Sequence, residues 1–220
     1  MASFKKVILP FTLGIILGLC FFPVVKATPG DQEVEQLRKE WAAIKYQTPK
    51  NRALAKYEAL IKTAENVQRR FPTNPSVMTW HGTILSSYSA EKGGLGALPS
   101  VKKARTLLER AIQMNSRVEN GFAHAVLGAV YARVPGWPVA FGNKKKARTH
   151  LETALKINPR SIDSNYYFGD FLADEGQYDA AKQHLEAANR APIRKGYEIQ
   201  DRGRKREIAA SMAKLKRHAR

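Results

Sequence analysis

The 220-residue chain is poor in cysteine, in acidic residues and in aromatic residues. Its single cysteine, Cys20, excludes an internal disulfide and a cysteine-rich zinc site. Aromatic residues make up 9% of the chain, and 19 Asp and Glu stand against 37 Lys and Arg, for a net charge of +18. A charge of this sign directs attention to nucleic acids and anionic membranes. The hydrophobic fraction of 44% indicates a globular fold rather than a disordered chain.

The chain also lacks the patterns that carry common catalytic and metal chemistry. It contains no H-E-x-x-H, no G-x-S-x-G, no P-loop and no dinucleotide-binding fingerprint. His150 and His184 occupy equivalent positions in two related segments, and this equivalence explains them without a metal ion. We therefore expect no enzymatic activity, no cofactor and no metal site.

The most apolar run of the sequence lies at its N terminus. Lys5 and Lys6 precede an apolar stretch over residues 7–25, and Ala27 offers a cleavage position. This layout is typical of a secretory signal peptide covering residues 1–27. The alternative is an uncleaved inner-membrane anchor formed by the same stretch. Both interpretations export the remaining chain, with the periplasm as the expected destination, and export argues against a nucleic-acid partner.

After Ala27 the apolar residues recur with helical periodicity between glycine and proline breaks. An internal repeat indicates how these helices are arranged. KKARTLLERA at 102–111 and KKARTHLETA at 145–154 agree at eight of ten positions, and AAKQHLEAA at 180–188 is a weaker copy. Each copy places a leucine four residues after one alanine and three residues before another. Small residues let helix backbones approach closely, and such units bury their apolar faces by stacking on neighbours.

This spacing resembles the tetratricopeptide repeat (TPR) family, whose pattern is W-x2-L-G-x2-Y followed by A-x3-F, A and P on a helix–turn–helix. The best match consists of Leu127, Gly128, Tyr131, Ala147, Leu151, Ala154 and Pro159, and a further match begins at Phe168-Gly169. A less close one begins at Trp80. The resemblance implies an all-α fold, a TPR-like α-solenoid of antiparallel helix pairs with a C-terminal capping helix.

The N-terminal layout and the TPR resemblance together divide the chain. We expect a signal peptide over 1–27 and a degenerate helix pair over 28–75. Three TPR-like repeats with loop insertions follow over 76–192, and a basic capping helix over 193–220. The apolar stripe Ile208, Met212, Leu215 and Ala219 fits such a helix.

Two loops are longer than the family standard, around Gly93–Pro99 and Pro135–Gly142. They look like those of exported bacterial repeat proteins, some of which are soluble partners of substrate-binding-protein-dependent transporters. Trp137, bracketed by two prolines, is interpreted either as an aromatic clamp at the edge of a binding groove or as an anchor that holds its loop on the solenoid.

In the TPR family the first helix of each pair lines a concave groove, and the resemblance places several polar side chains there. Three aspartates of the third copy are spaced by seven and four residues, so they share one helix face with a tyrosine. The predicted groove residues are Arg133, Asp163, Tyr166, Asp170 and Asp174. The acidic patch is interpreted as a site for a basic peptide or cationic ligand, or as a solvated face partly neutralised by Arg133.

The positive charge is concentrated outside the repeats. Residues 190–220 hold eleven Lys and Arg against three Asp and Glu, a net charge of +8. We expect a non-enzymatic exported protein that mediates protein or peptide interaction. One alternative is a small-ligand-binding accessory of a periplasmic transport system, which a pocket between the two long loops would favour. The other is contact with an anionic membrane surface through residues 202–217.

Overall fold

The computed structural model describes residues 29–218, so the predicted signal segment and Ala219 lie outside the described part of the chain. Within that part the chain forms nine α-helices and two short 3₁₀ turns, Leu95–Ala97 and Val118–Gly121. The helices are α1 (Asp31–Gln47), α2 (Lys50–Arg70), α3 (Pro75–Lys92), α4 (Leu98–Met114), α5 (Phe122–Arg133), α6 (Lys144–Ile157), α7 (Ile162–Asp174), α8 (Tyr178–Arg190) and α9 (Glu198–His218). None of these helices is long and apolar enough to cross a membrane.

Local capping chemistry fixes several helix starts. Ser161 caps α7 as its sequence position predicts, because its hydroxyl oxygen accepts a hydrogen bond from the Ser164 amide at 3.1 Å. Asn74 caps α3, because its side-chain oxygen accepts hydrogen bonds from the amides of Ser76 and Val77, with Pro75 in the first turn.

The helices pair in sequence order, and one small-to-large contact recurs in three pairs. Gly82 of α3 lies against Leu108 of α4, and a Cβ at position 82 would lie 2.9 Å from the leucine Cγ. The same contact joins Gly128 to Leu151 and Gly169 to Leu185. The three leucines are fully buried, as are the alanines of the repeated motif. The internal repeat of the sequence is therefore the packing unit of the solenoid, as the TPR resemblance predicts.

The first helices of the four pairs form the inner layer of the solenoid. Contacts run from α1 to α3, from α3 to α5 and from α5 to α7. The last helix, α9, packs on α8, but it also contacts α7 and α1. Five helices thus form a closed circuit in the order α1, α3, α5, α7, α9, which we call the inner ring. Its closure places α9 over the concave side of the third repeat.

Candidate functional site

The two long loops have defined structures at the same end of α3 and α5. Gly93 and Gly94 end α3 with positive φ angles of 64° and 61°, a conformation that favours glycine. The chain then passes through the turn Leu95–Ala97 into α4. The second loop is held by its own backbone, since the Gly142 amide donates to Pro135 at 2.8 Å and the Asn143 amide donates to Tyr131 at 2.9 Å. Both loops therefore present fixed walls.

A cavity of about 400 Å³ lies between these loops and the inner ring. This volume falls in the range of small-molecule sites in proteins. The loop walls are apolar and include Leu95, Leu98, Val134, Pro135 and Val139. Further apolar wall comes from Val101, Val126, Ala129 and Val130. The cavity thus offers an apolar molecule a large contact surface.

The polar groups of the cavity lie on the inner-ring helices: Lys45, Ser86, Ser87, Ser89, Arg133 and Tyr167. Both cations already have carboxylate partners. Arg133 Nη2 lies 2.6 Å from Asp170 Oδ2, and Lys45 Nζ lies 3.2 Å from Glu207 Oε1. Desolvation is the largest single effect and opposes the charge of Arg133, but Asp170, Tyr167 and Tyr166 together outweigh it and raise the pKa of Arg133. The cavity therefore combines apolar walls with charges that are largely compensated.

A buried ionic network holds α9 against α7 beside this cavity. Asp163 is 1% exposed, and its carboxylate accepts from Arg204 Nε at 2.9 Å, Arg194 Nη2 at 3.0 Å and Gln200 Nε2 at 3.2 Å. Arg204 is fully buried and also donates to the Tyr167 hydroxyl at 2.8 Å. These bonds satisfy the buried charges and fix α9 on the concave face of α7.

Most of the described chain matches a known protein family. A family model described as TAtT, TRAP transporter T-component, matches residues 42–200. The match extends from the second half of α1 into the start of α9 and contains both long loops. The chain belongs to the TRAP transporter T-component family.

This T-component chain is also similar to solved TPR structures of low sequence identity. A crystal structure of MamA protein is 16% identical, with 84% of this chain and 91% of that chain covered and a TM-score of 0.43. TTC0263, a thermophilic TPR protein from Thermus thermophilus, is also 16% identical. Here 83% of this chain and 98% of that chain are covered, with a TM-score of 0.42. No curated protein matches the chain.

The structure separates the predicted groove residues of this T-component chain into different environments. Asp163 and Tyr166 are buried under α9, and the Arg204 guanidinium lies 4.4 Å from the Tyr166 ring centroid. Asp170 is paired with Arg133, while Asp174 is exposed. Burial, and next the Asp170 charge, raise the pKa of Asp174. Of the five predicted groove residues, only Arg133 lines the cavity.

Of the two interpretations of Trp137, the anchor does not agree with the exposure of its side chain. The Trp137 side chain is 89% exposed and does not hold its loop on the solenoid. Phe141 makes that contact, because its ring lies edge-on to Tyr131 at a centroid distance of 5.8 Å and under the Arg105 guanidinium at 4.4 Å. Trp137 remains available at the outer end of the loop.

The sequence analysis did not identify Lys45, Ser87, Ser89 and Tyr167 as residues of this site. Lys45 lies on α1, within the pair whose repeat motif is degenerate, so no register assigned it to the inner face. Arg194 and Arg204 were also missed. Arg204 shares a helix face with Ile208 and Leu215 at steps of four and seven, and this pattern signals burial of the arginine.

Each histidine on the repeats is engaged with a neighbouring side chain. His150 Nδ1 lies 2.9 Å from His124 Nδ1, and His184 Nδ1 lies 3.0 Å from Asn165 Oδ1. His81 Nδ1 lies 2.5 Å from Gln68 Oε1, and its ring is 1% exposed. In the part of the chain that the structure describes, no group of three or more His, Cys, Asp or Glu side chains is arranged to hold a metal ion.

Burial of His81 predicts a loss of stability in mild acid. Burial, and next the charge of Lys103, lower its pKa from 6.5 to about 4, against an opposing effect of Glu65. Since the unfolded chain binds the proton more tightly, the stability contribution is complete above the ordinary pKa and is lost as the pH falls towards 4. We expect a loss of about 2 kcal/mol from this histidine between about pH 7 and about pH 5.

Urea unfolding of the wild type and His81→Gln at several pH values measures this effect. The variant should lose less stability over this pH interval than the wild type, because it lacks the titrating imidazole. Parallel stability curves for the two proteins would show that His81 does not contribute.

Proposed function

We propose that this protein is a non-enzymatic ligand-binding accessory of a TRAP-type transport system at the cell envelope. The cavity between the two long loops carries the proposal. Its 400 Å³ volume and apolar walls suit a small, largely apolar ligand, and the serines and Tyr167 at its inner end supply hydrogen bonds. The family description supports the connection to a transporter.

The cavity favours this function over capture of a peptide along the concave groove. In the third repeat the concave face contacts α9, and the carboxylate of Asp163 is occupied by donors from this helix or from Arg194 just before it. A basic peptide therefore has no access to Asp163 while α9 is in place. Protein interaction, which the TPR fold supports in general, is proposed instead for the outer rim of the cavity. There Leu95, Trp137 and Val139 are exposed and suit a transporter partner.

Filling the cavity tests the ligand proposal. Ala129 lines the cavity on α5, and Ala129→Trp places an indole in the ligand space. We expect at least a roughly tenfold loss of affinity for the neutral fluorescent probe N-phenyl-1-naphthylamine, because the apolar contact surface is lost. The measurement is a fluorescence titration of the full chain. Ala55→Trp adds the same side chain on the exposed face of α2 and should leave binding unchanged.

A second variant avoids changes to the buried layer. The double variant Leu95→Ser/Val139→Ser replaces two apolar side chains of the cavity wall. Both residues are exposed, so the protein should keep its melting temperature. This variant should weaken probe binding by severalfold. If Ala129→Trp melts like the wild type and both cavity variants bind the probe with wild-type affinity, the cavity is not the ligand site and the proposal fails.

A further inference from the structure

One face of α9 carries a row of cations that the cavity function does not use. Arg202, Arg206, Ala209, Ala213 and Arg217 are exposed and follow each other at steps of four, three, four and four residues, so they share one helix face. Lys205 and Lys216 flank this face. We call the five cations Arg202, Lys205, Arg206, Lys216 and Arg217 the basic strip.

The basic strip points away from the packed side of its helix. Arg204, Ile208 and Leu215 of α9 are buried, and they lie on the opposite face. Lys205 Nζ donates to the Asn189 carbonyl at 2.8 Å, and Arg206 Nη2 donates to the Tyr46 carbonyl at 3.2 Å. These contacts are to neutral oxygens, and no salt bridge between described residues involves the strip. No ion pair with another described residue therefore compensates its positive charge.

Charged groups of both signs lie beside the basic strip. Lys45 and Lys50 line the same surface cavity as Arg206, together with the carboxylates of Glu91 and Glu207, and Glu207 is already paired with Lys45. At the other end of the strip, Glu198 lies in the first turn of α9. Hydrogen bonds from backbone amides lower the pKa of Glu198, with a smaller effect of Arg202. The strip runs from Arg202 to Arg217 over about 22 Å of helix, which spans several lipid headgroups.

We propose that the basic strip docks the protein on the surface of an anionic phospholipid bilayer, a role beyond the cavity function. Only alanines separate the cations along the centre of the face, so this face offers no large apolar side chain for a specific protein contact. A flat row of long, flexible cations is complementary to a plane of phosphate groups. The alanines let this face approach the plane closely, without inserting into the hydrocarbon layer.

The test measures partition of the full chain onto vesicles of phosphatidylcholine with and without phosphatidylglycerol. The strip variant is Arg202→Gln/Arg206→Gln/Lys216→Gln/Arg217→Gln. We expect the partition coefficient of this variant on vesicles that contain phosphatidylglycerol to fall at least roughly tenfold below that of the wild type. On pure phosphatidylcholine the two proteins should partition equally. The wild type should also lose its preference for the anionic vesicle as salt is added.

The matched control removes four exposed cations from the outer helices: Lys62→Gln/Lys102→Gln/Arg110→Gln/Lys156→Gln. It has the same net charge as the strip variant, and both keep residues 1–27. An equal loss in the control would assign the effect to net charge and overturn the proposal, as would unchanged partition of the strip variant. A strip variant that keeps vesicle binding but loses binding to poly-glutamate would assign the strip to an acidic protein surface instead.

Discussion

Replacing Asp163 by alanine is expected to lower the free energy of unfolding by about 3–5 kcal/mol, because it removes one of the two carboxylates that neutralise the buried Arg204. The Arg204 side chain is 1% exposed, and that of Asp163 is 2% exposed. The substitution removes the acceptor of three hydrogen bonds, from Arg204, Arg194 and Gln200. Arg204 keeps Glu207 and the Tyr167 hydroxyl as partners, so the network is weakened rather than abolished.

Urea unfolding measures this loss, and two further variants show its origin. Asp170→Ala breaks the more exposed pair with Arg133 and should cost about 1 kcal/mol or less. The double variant Asp163→Leu/Arg204→Met replaces the central buried pair by apolar groups and should recover much of the stability. If Asp163→Ala costs no more than Asp170→Ala, the buried network does not hold α9 in place.

The repeats could be predicted from sequence because each contact that forms them is local and repeated. Gly128 and the motif Ala147–Leu151 lie in consecutive helices, and the same pairing recurs at Gly82 and Gly169. A leucine such as Leu151 needs a small residue opposite it on the paired helix, so the same glycine–leucine spacing recurs in each of these helix pairs. Hydrophobic periodicity then assigns buried faces without knowledge of the distant chain.

The placement of α9 could not be predicted in the same way. The stripe Ile208, Met212 and Leu215 shows that one face is buried, but not which helices cover it. The position of α9 depends on polar pairs far apart in sequence, such as Asp163 with Arg204 and Lys45 with Glu207. Such pairs have no periodicity that a single sequence reveals. For the same reason the sequence did not show that α9 and Arg194 cover Asp163, and the acidic patch was predicted as an accessible surface.

The excess positive charge of the C-terminal segment thus has two structural roles. Arg194 and Arg204 face inward and neutralise the carboxylate of Asp163 on the concave face of α7. The cations of the basic strip face outward and have no carboxylate partner among the described residues. A count of charges in this segment cannot separate these two groups, because the inward-facing Arg204 lies between the outward-facing Arg202 and Arg206 on the same helix.

Replacing Gly203 by valine is expected to open the inner ring between α9 and α1. A Cβ at this position would lie within the van der Waals radius of the Tyr46 ring. The ring cannot easily move away, because it packs edge-on to Trp41 at a centroid distance of 5.9 Å, and Trp41 is 1% exposed. We therefore expect α9 to shift off α1, at a cost of about 3 kcal/mol or more. The Lys45–Glu207 ion pair should weaken with it.

Hydrogen exchange measured by mass spectrometry locates the change. In Gly203→Val the amides of α9 and of the C-terminal half of α1 should exchange faster than in the wild type, while those of α4 and α6 should not. Ala209→Val places the same side chain on the exposed face of α9 and controls for helix propensity. Tyr46→Ala removes the clashing ring, so Gly203→Val should cost less stability in that background. Equal costs in the two backgrounds would contradict a direct clash. Because Lys45 lines the ligand cavity next to Tyr46, opening of this junction should also weaken probe binding.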